Sequence, residues 1–315
     1  MNRCETTDAT PNFLSAQELR QWSTLNDART WSGVVGDMTI IGAAIAVYEL
    51  WTPGYFYPLL VMIIGARQHG LLILMHDAVH RRLLANRRSN ELLGYVLGWL
   101  CLLRFENYRC MHLAHHRHLN TDRDPDWVSQ QQAPHYVHPE SWSDFAWIFV
   151  KTITGMELVT QLRRILRYSG ARHQSGPSHP PYRLFGYVGV AFITTMVGWW
   201  NELVLYWLVP LLTWLTWIVY VRGMAEHQRL EPRTGNRATR TVRTSWLAAF
   251  FLSPHNIGYH MEHHLYPSVP WHRLQALHYR LLQETEYQNF CHIKPSYLSV
   301  LQECIQVRTK ICRAA

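Results

Sequence analysis

The sequence predicts an all-α integral membrane protein, with four transmembrane helices and a cytosolic helical cap that holds a histidine-rich dimetal site. Three observations lead to this prediction. Hydrophobic residues make up 48% of the 315 residues, and they gather in long apolar runs. The 14 Trp and 16 Tyr residues lie largely at the ends of those runs, as they do at membrane interfaces. The 19 histidines include three tight clusters, and histidine is the commonest metal ligand in proteins.

The transmembrane helices are predicted from the length of the apolar runs. Roughly 20 apolar residues cross the hydrocarbon core of a bilayer, and four runs approach this length, at residues 33–51, 55–75, 184–200 and 203–221. The turn at 52–54 joins the first two runs, and Asn201-Glu202 joins the last two, which predicts two hairpins. Polar residues at membrane depth face protein or a cavity. The triplet Arg67-Gln68-His69 is therefore expected to pack against neighbouring helices or to line a substrate cavity.

The other segments are predicted to lie outside the membrane core. Residues 91–103 are apolar but too short to cross, which favours an interfacial or re-entrant segment. Residues 140–168 are amphipathic and end in arginines, which suits a helix on the membrane surface, and a loop is expected over 169–182. No secretory signal is expected at the start. The predicted units are a cytosolic N-terminal arm (1–32), a membrane domain (33–280) and a cytosolic C-terminal tail (281–315).

The net charge of +8 is better explained by membrane orientation than by nucleic-acid binding. The two connections at 52–54 and 201–202 contain no Lys or Arg, and apart from Arg67 the basic residues lie on the opposite side, with the histidine clusters. By the positive-inside rule this side is predicted to be cytoplasmic. The six cysteines form no CxxC pair, so they are expected to be reduced thiols.

The histidine clusters have the spacing of one helix face. His112-x-x-His115-His116 and His260-x-x-His263-His264 share the i, i+3, i+4 pattern, and His76 and His80 are four residues apart. One such cluster is equally consistent with a polar helix face. However, the four predicted spans bring all three clusters, and the isolated His227, to one side of the membrane. The nine candidate metal ligands are His76, His80, His112, His115, His116, His227, His260, His263 and His264.

Nine convergent imidazoles exceed what one metal ion takes, so they predict two metals. Iron, copper and zinc all suit imidazole ligands. A zinc protease would need HExxH, which these clusters lack. Three neighbouring acids, Asp77, Glu226 and Glu262, are each either partners that orient a ligand imidazole or plain surface acids.

These three motifs and their spacing around four spans resemble the histidine boxes of the membrane fatty acid desaturase superfamily. The resemblance covers about residues 35–280 and includes the context from Asn256 to Trp271. It implies a di-iron site held by the box histidines, with His227 as the isolated ligand between the second and third boxes. Asn256 has the residue type of a water-linked ligand in some members, and His118 and His255 are additional histidines with a lesser expectation of a site role.

The resemblance further implies dioxygen as co-substrate and a lipid or acyl substrate. No His-Pro-Gly-Gly haem-binding signature is present, so electrons are expected from a separate donor of the ferredoxin or cytochrome b5 type. The favoured function is introduction of a double bond into a fatty acyl chain. The alternative is a hydroxylase or ketolase of the same superfamily acting on a lipid, carotenoid or small lipophilic metabolite. A membrane metal transporter is a third hypothesis, but it would place polar ligands near the membrane midplane.

Overall fold

The computed structural model describes residues 11–132, 139–160, 163, 182–230 and 235–311, which are mostly helical. The helices of the first half are α1 (Ala16–Trp22), α2 (Asp27–Trp51), α3 (Tyr57–Val79), α4 (Arg87–Leu100), α5 (Phe105–His118), α6 (Pro125–Gln132) and α7 (Trp142–Ile153). Those of the second half are α8 (Tyr182–Val197), α9 (Trp200–Leu203), α10 (Val209–Leu212), α11 (Trp214–His227), α12 (Trp246–Phe251), α13 (His260–Leu265), α14 (Leu274–Leu281), α15 (Thr285–Phe290) and α16 (Tyr297–Ile311). The strands β1 (Thr241–Val242) and β2 (Ile293–Lys294) pair in parallel.

Helix α3 is the central element of the fold. It is buried along most of its length, and it packs against α2, α4, α5 and α11. In contrast, α2 buries only a narrow stripe, at Thr30, Gly33, Asp37 and Ile41, whose spacing of three or four residues is that of one helix face. The rest of α2 exposes apolar side chains, as a helix at a lipid boundary does.

Three of the four predicted spans are confirmed as helices long and apolar enough to cross a membrane. They are Asp27–Trp51, Gly54–Val79 and Trp200–His227, the last of which contains a π-helical stretch at Val204–Leu208. Two of these helices continue past the predicted ends of the apolar runs, to Val79 and to His227. They continue because their polar last turns are buried by protein and not exposed to solvent.

The expected span at 184–200 is a shorter apolar helix, Arg183–Val197. The chain turns at Gly198, whose φ of +79° lies in the left-handed region that favours glycine. The next helix begins at Trp200, so part of the predicted run belongs to the turn.

The two segments predicted at the membrane surface are amphipathic helices. Helix α4 covers most of the 91–103 segment and exposes Leu92 and Val96, and α7 exposes Trp142, Trp147 and Val150. Several other expectations fall outside the described residues: those for residues 1–10 of the arm, for the loop over 169–181, for Arg164 and Arg167, and for the last four residues of the tail.

A buried polar network joins α2 to α3 and accounts for part of the predicted polar triplet. Arg67 donates to Asp37 Oδ1 at 3.0 Å and to the Phe250 carbonyl, while His255 Nε2 lies 2.7 Å from Asp37 Oδ2. The helices approach closely here, because a Cβ at Gly70 would lie 2.2 Å from the Asp37 carboxylate. Arg67 therefore packs against neighbouring helices, the first of the two roles predicted for the triplet.

Candidate metal centre

Four separate parts of the chain bring the nine predicted histidines together. His76 lies in the last turn of α3 and His80 is its C-cap. His112, His115 and His116 lie on one face of α5, and His260, His263 and His264 on one face of α13. His227 is the last residue of α11. Helical periodicity thus aims each group inward, and the packing of α5, α11 and α13 around the end of α3 makes the groups meet.

Five imidazoles form the first cluster, which we call the five-histidine cluster: His76, His80, His112, His116 and His263. Their candidate ligand atoms all lie within 4.8 Å of one another. His112 Nε2 lies 2.9 Å from the Nε2 atoms of both His80 and His116, and His263 Nε2 lies 3.1 Å from His116 Nε2. The ring centroid of His76 lies 4.3 Å from that of His112 and 4.4 Å from that of His263.

The other four imidazoles form the four-histidine cluster: His115, His227, His260 and His264. His227 Nε2 lies 3.2 Å from His115 Nε2 and 2.8 Å from His260 Nε2. The His264 ring lies 4.5 Å from that of His260 and stacks on His116 of the first cluster at 4.0 Å between centroids. The two clusters are therefore in direct contact, as the two halves of a dinuclear site would be.

The nitrogen positions fit metal ions. A carbonyl only accepts, so His227 Nδ1, 3.1 Å from the Ala238 carbonyl, carries its proton, and the His115 Nδ1 proton is held by Asp124. When both imidazoles are neutral, their Nε2 atoms then present lone pairs to each other at 3.2 Å, an arrangement that a cation between them would stabilise. Metal–imidazole bonds of about 2.1 Å at about 90° place neighbouring nitrogens about 3 Å apart. Within the described chain, neither ring nitrogen of His264 has a hydrogen-bond partner.

The environment keeps most of these imidazoles neutral, the form that binds metal. Burial lowers the pKa of His80 to about 3, with help from the charges of Arg82 and Arg109. Burial, followed by the neighbouring imidazoles, also holds the pKa well below its usual value for four others, His112, His260, His263 and His264. Deprotonated ligands are what a metal requires.

Asp124 orients His115, and His115 is the imidazole whose pKa departs from this pattern. The two carboxylate oxygens of Asp124 lie 3.0 Å from His115 Nδ1, and they also accept the backbone N–H groups of Asn120 and Asp126. Burial opposes charge on both partners, but their hydrogen bond outweighs it. As a result, the pKa of Asp124 is lowered and that of His115 is raised. The carboxylate fixes the tautomer that turns Nε2 toward the cluster.

Asp124→Asn is expected to weaken binding of one of two metal equivalents by about 10–100-fold, the range typical of lost outer partners of metal ligands. An amide lacks the charge that holds the proton on His115 Nδ1, and its NH₂ group faces a backbone N–H. Titration of the metal-free protein with Co²⁺ measures the change. Asp122→Asn is the matched control, because Asp122 is an exposed acid two residues away from Asp124. Equal affinities in both variants would contradict the role of Asp124.

Two of the three acids predicted beside the ligands lie near an imidazole. Asp77 Oδ1 is 3.5 Å from His76 Nδ1, and Glu226 Oε1 is 3.6 Å from His260 Nδ1. Glu262 instead accepts hydrogen bonds from Thr241, His278 and Tyr287. It therefore anchors the helix that carries the third motif, and neither expected role describes it, because it bonds to no ligand imidazole and does not lie at the surface.

Three other histidines singled out in the sequence, His69, His118 and His255, and also Asn256, lie outside the two clusters. His255 bonds to Asp37, and Asn256 Nδ2 donates to the Trp271 carbonyl at 3.2 Å. His118 ends α5 and belongs to none of the candidate ligand groups among the described residues. His69 Nε2 accepts from Arg222 at 2.9 Å, and Arg222 in turn pairs with Glu226.

The partners that sequence reasoning missed are Asp124, Arg240, Thr241, His278 and Tyr287. Asp124 was not among the predicted site residues. The sequence contains one signal for Asp124, which is the run of acids directly after the histidine helix α5. A turn after the helix can bring such an acid back to the imidazoles of its last turn. The others come from distant segments that carry no motif, so spacing could not have indicated them.

Long apolar helices around a buried pair of imidazole clusters define a membrane protein with a candidate dinuclear metal centre. Comparison with known proteins identifies its family. The sequence profile described as Fatty acid desaturase matches residues 52–294. The chain belongs to the fatty acid desaturase family, and it is an oxidoreductase of that superfamily. The prediction of an enzyme is thereby confirmed over that of a metal transporter.

The relatives cover most of the chain and differ in their reactions. Dihydrorhizobitoxine desaturase of Bradyrhizobium elkanii is 30% identical over 268 residues, 81% of this chain and 75% of that protein. Beta-carotene ketolase of Paracoccus sp. (strain N81106 / MBIC 01143) is 29% identical over 216 residues, 66% of this chain and 73% of that protein. The sn-1 acyl-lipid omega-3 desaturase (ferredoxin) of Nostoc sp. (strain 36) is 24% identical over 274 residues, 79% of this chain and 72% of that protein.

Proposed function

We propose that this protein is an oxygen-dependent membrane desaturase that introduces a double bond into a fatty acyl chain. The observation that carries the proposal is the contact between two buried imidazole clusters at the end of a membrane-length helix. In this proposal the clusters hold two irons, through His76, His80, His112, His116 and His263 on one side and His115, His227, His260 and His264 on the other. When bound, the irons would supply the activation of dioxygen needed to remove two hydrogens from neighbouring carbons.

The chain's own residues position the imidazoles and keep water from the site. Asp124 and the Ala238 carbonyl hold protons on the Nδ1 atoms of His115 and His227, so that both Nε2 atoms face inward. Four apolar residues that lie within three positions of a ligand in the sequence are almost completely buried: Met75, Ala78, Met224 and Met261. Such an apolar shell strengthens electrostatic interactions inside the site and suits a hydrocarbon substrate.

The proposal includes four transmembrane helices, with the histidines in a cap on the cytoplasmic face. The fourth span would be α8, whose exposed apolar side chains, such as Phe185, Phe192 and Met196, are each more than 60% accessible and suit contact with lipid. Gly198 then turns the chain back into the Trp200–His227 helix. The arginines directly after α3 (Arg81, Arg82, Arg87 and Arg88) support the cytoplasmic orientation.

Within this arrangement, residues 33–280 form the membrane domain, flanked by the cytosolic arm 1–32 and tail 281–315. Electrons come from a separate donor of the ferredoxin or cytochrome b5 type. The proposal of a ferredoxin is supported by the Nostoc relative, whose name specifies that donor. An acyl-lipid substrate is likewise supported by the name of that relative.

A second candidate function is hydroxylation or ketone formation on a lipid, carotenoid or small lipophilic metabolite. It is supported by the Beta-carotene ketolase relatives, one of which is 29% identical to this chain. Both reactions begin with removal of hydrogen from carbon and use the same ligand set, so the outcome depends on how the substrate is placed.

Lipid extracts of a host expressing the protein with its electron donor are expected to contain a new acyl chain with one additional double bond. Mass spectrometry measures this product as a loss of two mass units. A host expressing the His112→Ala variant is the control, because the His112 ring contacts those of His76, His80 and His116 in the five-histidine cluster. An oxygenated lipid or carotenoid in place of an unsaturated chain would select the second candidate. Wild-type lipids unchanged from the control would contradict both.

A further inference from the structure

A short buried segment, residues 238–242, connects the two parts of the chain that supply most of the four-histidine cluster. We call these residues the strap. Each of the five is at most 2% exposed. Burial of polar residues in a connecting segment requires that their groups find partners. The partners of the strap are residues that position His227 and α13.

The strap contacts both segments directly. The Ala238 carbonyl accepts the His227 Nδ1 proton at 3.1 Å. Thr241 Oγ1 donates to Glu262, between the histidines of α13, at 2.5 Å. The Val242 N–H donates to the Gly258 carbonyl at 2.9 Å, at a point where a Cβ on Gly258 would lie 2.8 Å from the Val242 carbonyl oxygen.

Arg240 fixes the helix end that carries His227. Its guanidinium donates to the Ala225 carbonyl at 2.9 Å, the Met224 carbonyl at 3.3 Å and the Gln228 carbonyl at 2.9 Å. The last carbonyls of a helix lack partners within the helix, and a cation there also interacts favourably with the helix dipole. A planar fork of donors binds several carbonyls in one fixed geometry, which a flexible ammonium does not.

The charge of Arg240 is compensated inside the protein. The side chain is 0% exposed, and its Nε lies 3.8 Å from the Glu303 carboxylate on α16. Glu303 also binds Lys294 at 2.8 Å, so it keeps a cationic partner when Arg240 is replaced. A substitution of Arg240 therefore acts mainly on the three carbonyls at the end of α11.

We propose that Arg240 is a positioning residue for the four-histidine cluster: it fixes the last turn of α11 and the strap together, so that His227 presents Nε2 to His115 and His260. The inference rests on the proposed function, because it takes the cluster to be a metal site. Arg240 touches neither substrate nor metal, and it acts only through His227. Its loss affects one of two metal equivalents.

The test is a titration of the metal-free, full-length protein in detergent with Co²⁺, followed by its absorption spectrum. The wild type is expected to bind two equivalents. Arg240→Gln is expected to bind one equivalent as the wild type does and the other about 10–100-fold more weakly, as for lost outer partners of metal ligands. Arg237→Gln is the matched control, because Arg237 is exposed three residues away and lies over the Phe290 ring. It is expected to retain both affinities.

Two results would overturn the inference. In the first, Arg240→Gln binds both Co²⁺ equivalents with wild-type affinity. In the second, it binds both equivalents more weakly by the same factor, which would indicate a general structural role. If Arg240→Gln does not insert into membranes, Arg240→Lys takes its place, because lysine keeps the charge and part of the donor set. It is expected to weaken the same single equivalent by a smaller factor, and equal weakening of both would again overturn the inference. A wild type that binds fewer than two equivalents would instead refute the proposed dinuclear site.

Discussion

Replacement of His263 by alanine is expected to abolish product formation while the protein still inserts into membranes. His263 is 1% exposed, and its Nε2 lies 3.1 Å from His116 Nε2. Its ring centroid lies within 5 Å of those of His76 and His80. Loss of a direct ligand exceeds the effect of a lost outer partner, so the decrease in product should be more than about a hundredfold. The substitution removes one imidazole from a cluster of imidazoles. It does not change the apolar helices that direct insertion into the membrane.

Two measurements check this result. Product analysis of expressing cells reports the activity, and membrane fractionation with a protease-protection assay reports insertion. His272→Ala is a suitable control, because His272 follows the third motif closely but is only half-buried and lies outside both clusters. Wild-type product from His263→Ala would refute the assignment of the five-histidine cluster. Absence of the variant from membranes would show that His263 is needed for folding.

Replacement of Glu262 by alanine is expected to give the largest loss of stability. Glu262 is fully buried, and its oxygens accept hydrogen bonds from His278 at 2.5 Å, Tyr287 at 2.6 Å and Thr241 at 2.5 Å. The substitution leaves three buried donors without an acceptor, and each costs about 1–3 kcal/mol. These costs sum to about 3–9 kcal/mol. We expect the lower half of this range, about 3–5 kcal/mol, which is comparable to the loss of one partner from a buried ion pair.

Thermal unfolding of the purified protein measures this effect. A loss of this size should lower Tm by roughly 6–10 °C, at about 2 °C per kcal/mol for a chain of this length. Glu262→Gln should be less damaging, because the hydroxyl groups of Thr241 and Tyr287 both donate and accept. Glu286→Ala, at an exposed position on α15, should leave Tm almost unchanged. If Glu262→Ala and Glu286→Ala had equal Tm values, Glu262 would not be an anchor.

The positions of the nine histidines were predictable because two local rules act on them. Helical periodicity places residues i, i+3 and i+4 on one face, as it does for His112, His115 and His116. Apolar runs of membrane length then indicate which ends of the helices meet. The first rule depends only on neighbouring residues and the second on the order of the apolar runs, so the grouping of α3, α5, α11 and α13 followed from spacing and topology together.

The supporting contacts were not predictable, because they join residues that are far apart in sequence. Glu262 sits beside two histidines and was expected either to orient one of them or to be a plain surface acid, yet its partners come from the strap, α14 and α15. The same limitation affected the helix ends. His76 and His227 extend their helices beyond the apolar runs because protein, and not water, surrounds them. Burial of this kind is a property of the packed chain, and local polarity does not report it.

The division of the ligands among four segments also determines when the centre is completed during synthesis. The five-histidine cluster takes His76 from an early helix and His263 from a late one, and the four-histidine cluster likewise requires α13. A ribosome-bound chain that ends before residue 263 contains neither complete set. Glu262, which anchors α13, further requires the residues up to Tyr287. In the proposed centre, metal loading therefore comes late in synthesis, after the residues that anchor α13 have been made.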